Sequence, residues 1–179
     1  EQPTNTISAE AQYKYEKIGR SLGFSGGGSN LMMYDAEDWD FGTDDFTIEC
    51  WVKFNTLEND QMITCQVDSA LNYWAFYKLV TTNKLRFIQY NNSGVTCVGN
   101  YTMTSDWSAA IDTWYHIACE KTSSGIEFYI DGVAQATTES TAFSALGDLD
   151  GYLWIGRFGG GYNSAYLDAC ISDLRISKG

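Results

Sequence analysis

The chain has 179 residues, 44% of them hydrophobic, which is enough for one domain with a sizeable core. A net charge of −12 repels phosphate backbones and anionic lipid, so we expect no nucleic-acid binding. No apolar stretch reaches the ~18–20 residues that a membrane-spanning helix needs.

The first 18 residues are polar and show no strong hydrophobic period. Ala9–Ile18 has the length of two helical turns, with Ser8 as a possible N-cap, but so short a helix is not stable alone. We interpret residues 1–18 as an arm or linker and residues 19–179 as the folded domain.

The domain begins with a predicted hairpin and a long strand. Leu22 and Phe24 alternate as a strand, the glycines Gly26–Gly28 form a turn, and Leu31–Tyr34 returns. No helix or lysine follows the glycines, which argues against a phosphate-binding loop. After an acidic loop, Phe46–Phe54 alternates in hydrophobicity over nine residues and is the longest predicted strand.

The middle of the chain contains further short strands separated by turns. They are predicted at Gln61–Val67, Asn72–Leu79, Lys84–Tyr90 and Gly94–Val98. Trp74, Phe76 and Tyr77 lie on one of them. These rings either pack between two sheets, as large aromatic residues often do, or point outward and stack on sugar rings.

A central hairpin follows, formed by Trp114–Glu120 and Ile126–Ile130. The next turn, Asp131-Gly132, is a strong hairpin signal because both residues tolerate positive φ. Two more strands are predicted at Tyr152–Arg157 and in the closing segment Ala165–Gly179. Many short strands, 17 glycines and a single proline together favour an all-β sandwich.

Several of these segments resemble the sequence motifs of one family. W-Y-H-I-A-C-E-K followed by G-I-E-F-Y-I-D-G-V resembles the central hairpin of laminin-G-like domains, which belong to the concanavalin A-like lectin/glucanase superfamily. W-I-G-R and I-S-D-L-R-I occur in the matching order. The resemblance implies a jelly-roll sandwich of two antiparallel sheets over about Gly19–Gly179. The sequences of Gly19–Phe54 and of the tail Asp173–Gly179 are similar to those of laminin-G-like domains in bacteriophage tail and virion proteins.

The residues do not favour catalysis. His116, the only histidine, lies within a predicted strand, which argues against a Ser-His-Asp triad and a His-rich metal site. Glycoside hydrolases on this fold use two carboxylates projecting from one strand. Here the acidic stretches Glu37–Asp40 and Asp44-Asp45 lie in a loop, so we predict a non-enzymatic protein.

The resemblance also raises the possibility of a structural calcium ion. Many relatives bind calcium between the first hairpin and an Asp of the closing strand, which here implies the Gly26 carbonyl and Asp173. Ser25 and Ser29 stand where the family usually has Asp, which weakens or abolishes such a site. In the alternative interpretation, Asp173 is solvated and pairs with Arg175 or Arg157.

The five cysteines form no metal-binding spacing. We expect mostly free thiols, since unpaired cysteine is often buried. A Cys65–Cys97 disulfide is the one pairing that the sequence leaves open.

Together these features predict a carbohydrate-binding or adhesion module. The resemblance suggests display on a phage virion or tail fibre, contact with host-surface glycans, and contact with other virion proteins through residues 1–18; an oligomer is possible. The predicted ligand-binding residues are Trp107, Tyr162, Arg157, Asn72 and Trp74. The alternatives are a decoration or assembly module with protein partners, and a secreted cell-surface adhesin domain.

Overall fold

The computed structural model describes residues 6–7, 12–16, 19–91, 97–143, 145, 147–159 and 165–179, with side chains from residue 20 onward. Its strands are β1 Thr6–Ile7, β2 Gln12–Glu16, β3 Gly19–Ser25, β4 Leu31–Met33, β5 Phe46–Phe54, β6 Gln61–Ser69, β7 Asn72–Lys78, β8 Leu85–Tyr90, β9 Cys97–Met103, β10 Trp114–Thr122, β11 Gly125–Ile130, β12 Val133–Gln135, β13 Thr137–Thr141, β14 Tyr152–Ile155 and β15 Asp168–Lys178. A 3-10 turn spans Glu37–Trp39.

The strands form two antiparallel sheets. One has eight strands in the order β1-β4-β14-β6-β7-β8-β9-β13, and the other has seven in the order β12-β11-β10-β5-β15-β3-β2. This arrangement confirms the prediction of an all-β, two-sheet jelly-roll sandwich. Among the described residues, no helix is long and apolar enough to cross a bilayer.

The core lies between the sheets and follows the period-two pattern. In β5 every second side chain from Phe46 to Phe54 is buried, and the residues between them are half-buried on the opposite face. Phe128 of β11 is fully buried and stacks on Phe76 of β7, with ring centroids 6.1 Å apart. This contact joins the two sheets across the core. Asp131 and Gly132 have φ values of 50° and 77°, as their turn requires.

Three regions differ from the sequence-based expectations. Gln12–Glu16, interpreted from the sequence as part of an arm or linker, pairs with β3 as an edge strand, because a helix this short is not stable alone and the sheet edge offers backbone hydrogen-bond partners. Asn100–Met103, beyond the end of the predicted strand Gly94–Val98, is the second half of β9. Cys65 and Cys97 lie on β6 and β9, which are separated by β7 and β8, so they do not form the disulfide that was left open; all five thiols are free.

Candidate ligand-binding face

The eight-stranded sheet has aromatic residues on both faces. In β7, Trp74 and Phe76 point into the core between the sheets. Tyr73 and Tyr77, which alternate with them, belong to a second cluster on the opposite side of the sheet. One strand therefore supplies rings to the core and to an outward surface.

This outward surface collects half-buried rings from several neighbouring strands. Tyr73 lies opposite Tyr90, Tyr77 opposite Arg86, and Trp154 opposite the buried Cys65. We call the surface the outer aromatic face; it comprises Tyr73, Tyr77, Arg86, Tyr90, Asn100, Trp154, Arg157 and Tyr166. Rings and hydrogen-bonding groups thus alternate across a rigid sheet.

Tyr73 lies at the most crowded part of the face. Its ring stacks on Tyr90, with centroids 5.1 Å apart, and its edge meets Phe158 at 4.9 Å. Burial is the largest factor that raises the pKa of Tyr73, and the neighbouring Tyr90 and Tyr77 add to it. Burial likewise raises the pKa of Tyr77, an effect that Arg86 opposes. Both hydroxyls are therefore neutral at physiological pH.

Arg86 is held in place by two neighbours. Its guanidinium carbon lies 5.9 Å from the centroid of the Tyr77 ring, and its Nε donates a hydrogen bond to Oδ1 of Asn100 at 3.1 Å. A guanidinium that is stacked and bonded in this way loses little further freedom when it binds a ligand.

Arg157 is held between two rings beyond the end of β14. Its guanidinium carbon lies 5.6 Å from the Trp154 centroid and 5.7 Å from that of Tyr166. Its backbone carbonyl accepts a hydrogen bond from the Cys65 thiol, while its Nε is shielded from solvent and has no hydrogen-bond partner among the described residues. Gly159 packs directly on Trp154, since a Cβ there would lie 2.1 Å from the indole nitrogen. The segment after β14 thus covers part of the face.

Two predicted ligand-binding residues are buried, which corrects our expectation that they are accessible. Trp74 is fully buried, and its indole nitrogen donates to Oε1 of Gln66 at 3.1 Å. Trp107 is 9% exposed and packs edge-on against Tyr115, with centroids 4.8 Å apart. The polar residues before Trp107 do not keep it at the surface, because its ring fills the end of the core.

The other three predicted residues are scattered. Arg157 lies on the outer aromatic face, where its guanidinium packs over the Trp154 ring. Asn72, at the start of β7, donates a hydrogen bond to Asp68 at 2.9 Å. Tyr162 lies outside the described residues. Ligand contact by these three remains a prediction.

The sequence contained a signal for the outward tyrosines. In β7 the residues Tyr73, Ala75 and Tyr77 form one alternating set, and Trp74, Phe76 and Lys78 form the other. Both sets are partly apolar, so alternation alone does not show which set faces the core. The strand's pairing partners decide it.

The outer face of the seven-stranded sheet has a different character. Glu49 lies 3.1 Å from Nε2 of His116 and 3.8 Å from Nη1 of Arg175. The Tyr129 hydroxyl donates to a carboxylate oxygen of Glu120 at 2.9 Å. These charged groups satisfy one another, and His116 has a structural partner there. Trp51 and Trp114 also lie on this face, half-buried beside these paired charges.

The residues around the first hairpin do not fit a calcium site. The Gly26 carbonyl already accepts hydrogen bonds from the backbone nitrogen and the hydroxyl of Ser29, and Ser29 Oγ accepts one from the Ser25 nitrogen. The carboxylate of Asp168 lies beside Gly26 and accepts a hydrogen bond from Nδ2 of Asn55 at 2.7 Å. Calcium prefers six to eight oxygens with several carboxylates.

Asp173 is not near Gly26, which corrects the pairing inferred from the resemblance. In the register of β15 and β3, Asp168 lies opposite Ser25, and Asp173 is five residues further along, about 16 Å at ~3.3 Å per residue. Asp173 is exposed, has a φ of 50°, and lies at an irregularity in the pairing with β5. Arg175, its suggested partner, contacts Glu49 instead.

A group of acidic side chains that the sequence did not single out lies elsewhere. The carboxylates of Asp35, Asp148 and Asp150 approach within 4.8 Å of one another at the surface. Burial raises the pKa of Asp35, and the charges of Asp148 and Asp150 add to the rise. Gln66, which also holds Trp74, donates to Asp35 at 2.9 Å. Asp35 comes from one loop and Asp148 and Asp150 from another, so the fold brings the two loops together.

Known structures share this fold at low sequence identity. Domain 4 of AbnA, a GH43 extracellular arabinanase from Geobacillus stearothermophilus solved with arabinotriose, is 17% identical with a TM-score of 0.72, covering 98% of this chain and 82% of that one. The Bacillus subtilis carbohydrate-binding module CBM66 is 13% identical with a TM-score of 0.50, covering 97% and 94%. Domains LG4-5 of the mouse laminin alpha1 chain are 15% identical with a TM-score of 0.60, covering 93% and 41%.

These likenesses establish the fold alone, and no curated protein sequence matches the chain. A family model does match it, over residues 25–179, and is described as Laminin_G_3, of the concanavalin A-like lectin/glucanases superfamily. Because this match spans most of the chain, the protein belongs to the concanavalin A-like lectin/glucanase superfamily.

Proposed function

We propose that this protein is a non-enzymatic carbohydrate-binding module whose ligand lies on the outer aromatic face. The observation that carries the proposal is the combination of half-buried rings with Arg86, Asn100 and Arg157 on one side of a rigid sheet. A sugar ring presents C–H groups on its faces and hydroxyls around its edge. Aromatic rings suit the former, and guanidinium and amide groups suit the latter.

Two of the solved structures with this fold support the proposal, one by its name and one by its bound ligand. One is named as a carbohydrate-binding module, and another was solved as an arabinanase domain in complex with arabinotriose. Their sequence identity to this chain is too low to transfer a binding site. The placement of the ligand therefore rests on the residues of this chain.

The proposal also covers where the module is displayed. The sequence similarity of Gly19–Phe54 and Asp173–Gly179 to phage proteins supports display on a virion or tail fibre that contacts host-surface polysaccharide. Residues 1–18 would then contact other virion proteins. A secreted adhesin domain at a cell surface would use the same face.

The test is an oligosaccharide array probed with the wild-type protein, Tyr77→Ala and Tyr129→Ala. Both tyrosines are half-buried, but Tyr129 lies on the outer face of the other sheet, which makes it a matched control. We expect Tyr77→Ala to lose binding with little change in melting temperature, and Tyr129→Ala to retain it. Absence of any bound glycan would overturn the proposed function. Loss in Tyr129→Ala alone would overturn the site.

A further inference from the structure

We propose that the ligand of the outer aromatic face is an acidic saccharide whose anionic groups pair with Arg86 and Arg157. This inference rests on the proposed carbohydrate-binding function and specifies its ligand class. Its basis is the position and the pairing of the two arginines.

The chain has few basic side chains, and several of them are already paired with carboxylates. It carries 23 acidic and 11 basic residues, yet two of its arginines lie on this one face. Four other cations, Lys84, Lys121, Arg175 and Lys178, each lie within 3.8 Å of a carboxylate oxygen. Within the described part of the chain, neither Arg86 nor Arg157 forms such an ion pair. Their positive charge is thus available to a ligand.

Both guanidiniums are held in place before any ligand binds. Arg86 is bonded to Asn100 and lies over Tyr77, and Arg157 lies between Trp154 and Tyr166. The Nε of Arg157 has no acceptor in the described part of the chain although it is shielded from solvent. A hydrogen bond from an ionised group to an anion is stronger than one between neutral groups. An acidic sugar would accept such bonds from the guanidinium groups of Arg86 and Arg157.

The tyrosines of the face carry no charge that would repel an anion, although the charge of Asp60 acts on Tyr77. The hydroxyls of Tyr73 and Tyr77 remain neutral donors, since burial raises the pKa of both. Arg86 is on β8, three strand positions from β14, which is about 14 Å at ~4.8 Å per strand. This separation fits successive units of an acidic oligosaccharide better than one monosaccharide.

The experiment compares matched pairs of saccharides that differ only in charge. Suitable pairs are polygalacturonate and its methyl ester, sulfated and unsulfated galactan, and sialyllactose and lactose. The proteins are the wild type, Arg86→Gln, Arg157→Gln and the control Arg175→Gln, whose arginine is exposed on the other sheet. Melting curves verify that each variant is folded.

We expect the acidic member of at least one pair to bind about tenfold or more tightly than its neutral partner. This preference should weaken as NaCl is raised, because salt screens exposed charges. Arg86→Gln and Arg157→Gln should each remove most of it, and Arg175→Gln should not. Equal binding of charged and neutral members overturns the acidic ligand while the carbohydrate-binding function stands. Binding of no saccharide overturns both, and acidic binding unchanged in Arg86→Gln and Arg157→Gln overturns the role of the arginines.

Discussion

Tyr73 and Tyr90 stack across two adjacent strands, with ring centroids 5.1 Å apart and an interplanar angle of 26°. The pair lies outside the core, on the face of the sheet that we propose binds ligand. Tyr90 is half-buried and Tyr73 is shielded further by Phe158. Tyr90 is therefore the better position for separating binding from stability.

The first prediction concerns Tyr90. We expect Tyr90→Ala to weaken glycan binding because it removes a ring from the face, and Tyr90→Phe to retain much of it because the ring remains. The stability cost of Tyr90→Ala should be small, about 1–2 kcal/mol for a lost half-buried ring pair. Isothermal titration with the best glycan from the array, together with urea unfolding, measures both quantities. Equal binding by wild type and Tyr90→Ala would contradict the placement of the ligand.

The second prediction concerns Trp107, which packs against Phe54 and Tyr115. Trp107→Ala should lower the free energy of unfolding by about 3–5 kcal/mol, as truncation of a core aromatic residue does. Trp51→Ala is the matched control, because Trp51 is half-buried on the outer face of the seven-stranded sheet. It should cost clearly less. Equal losses in urea unfolding would show that Trp107 does not belong to the core.

The inner side of the sandwich could be predicted because the alternation in one strand showed clearly which residues face the core. From Phe46 to Phe54 the apolar residues occupy every second position, and all five are buried. In Ile126–Ile130 the same alternation puts Phe128 on the inward side, where it is fully buried. Regular alternation of apolar and polar residues is enough when only one face of a strand is covered.

For the outer face, the sequence did not show which of two alternating sets of residues points outward. In β7 both alternating sets contain aromatic residues, so Trp74 was placed among ligand-binding candidates and its neighbour Tyr73 was not. The calcium pairing of Asp173 failed for a different reason. A motif match gives sequence order, whereas strand register decides that Asp168 is the residue beside Gly26.

Lys78 offers a test of the electrostatics of the core. The side chain is fully buried, its Nζ donates to the Leu79 carbonyl at 3.4 Å, and it lies 5.7 Å from the Phe54 centroid. Burial lowers the pKa of Lys78 to about 8, partly opposed by Asp60. An unfolded chain has its lysine pKa near ~10.4. Below pH 8 the native state therefore carries the full cost of a buried charge.

The third prediction follows from this difference in pKa. Between about pH 8 and ~10.4 the unfolded chain binds more protons at Lys78 than the native state, so the free energy of unfolding rises with pH. Lys78→Met should be more stable than wild type at pH 7, by about 1–3 kcal/mol, and the gap should shrink toward pH 9.5.

Urea unfolding of both proteins from pH 7 to 9.5 measures the gap. Taking the difference between them cancels the contribution of the buried thiols, whose pKa burial raises, notably at Cys50 and Cys119. A gap that stays constant with pH would show that Lys78 titrates normally in the folded protein.

The fourth prediction concerns calcium. Since the Gly26 carbonyl and the Ser29 hydroxyl already bond within the turn, we expect millimolar CaCl₂ and EDTA to give the same melting temperature. Asp168→Asn and Asp148→Asn serve as the two probes of location. A rise in melting temperature with calcium that Asp168→Asn abolishes would contradict the prediction and place the ion beside the first hairpin. A rise abolished by Asp148→Asn alone would place it among Asp35, Asp148 and Asp150. Strontium and magnesium then separate a specific calcium site, which favours a large cavity with many oxygens, from general screening of a protein of charge −12.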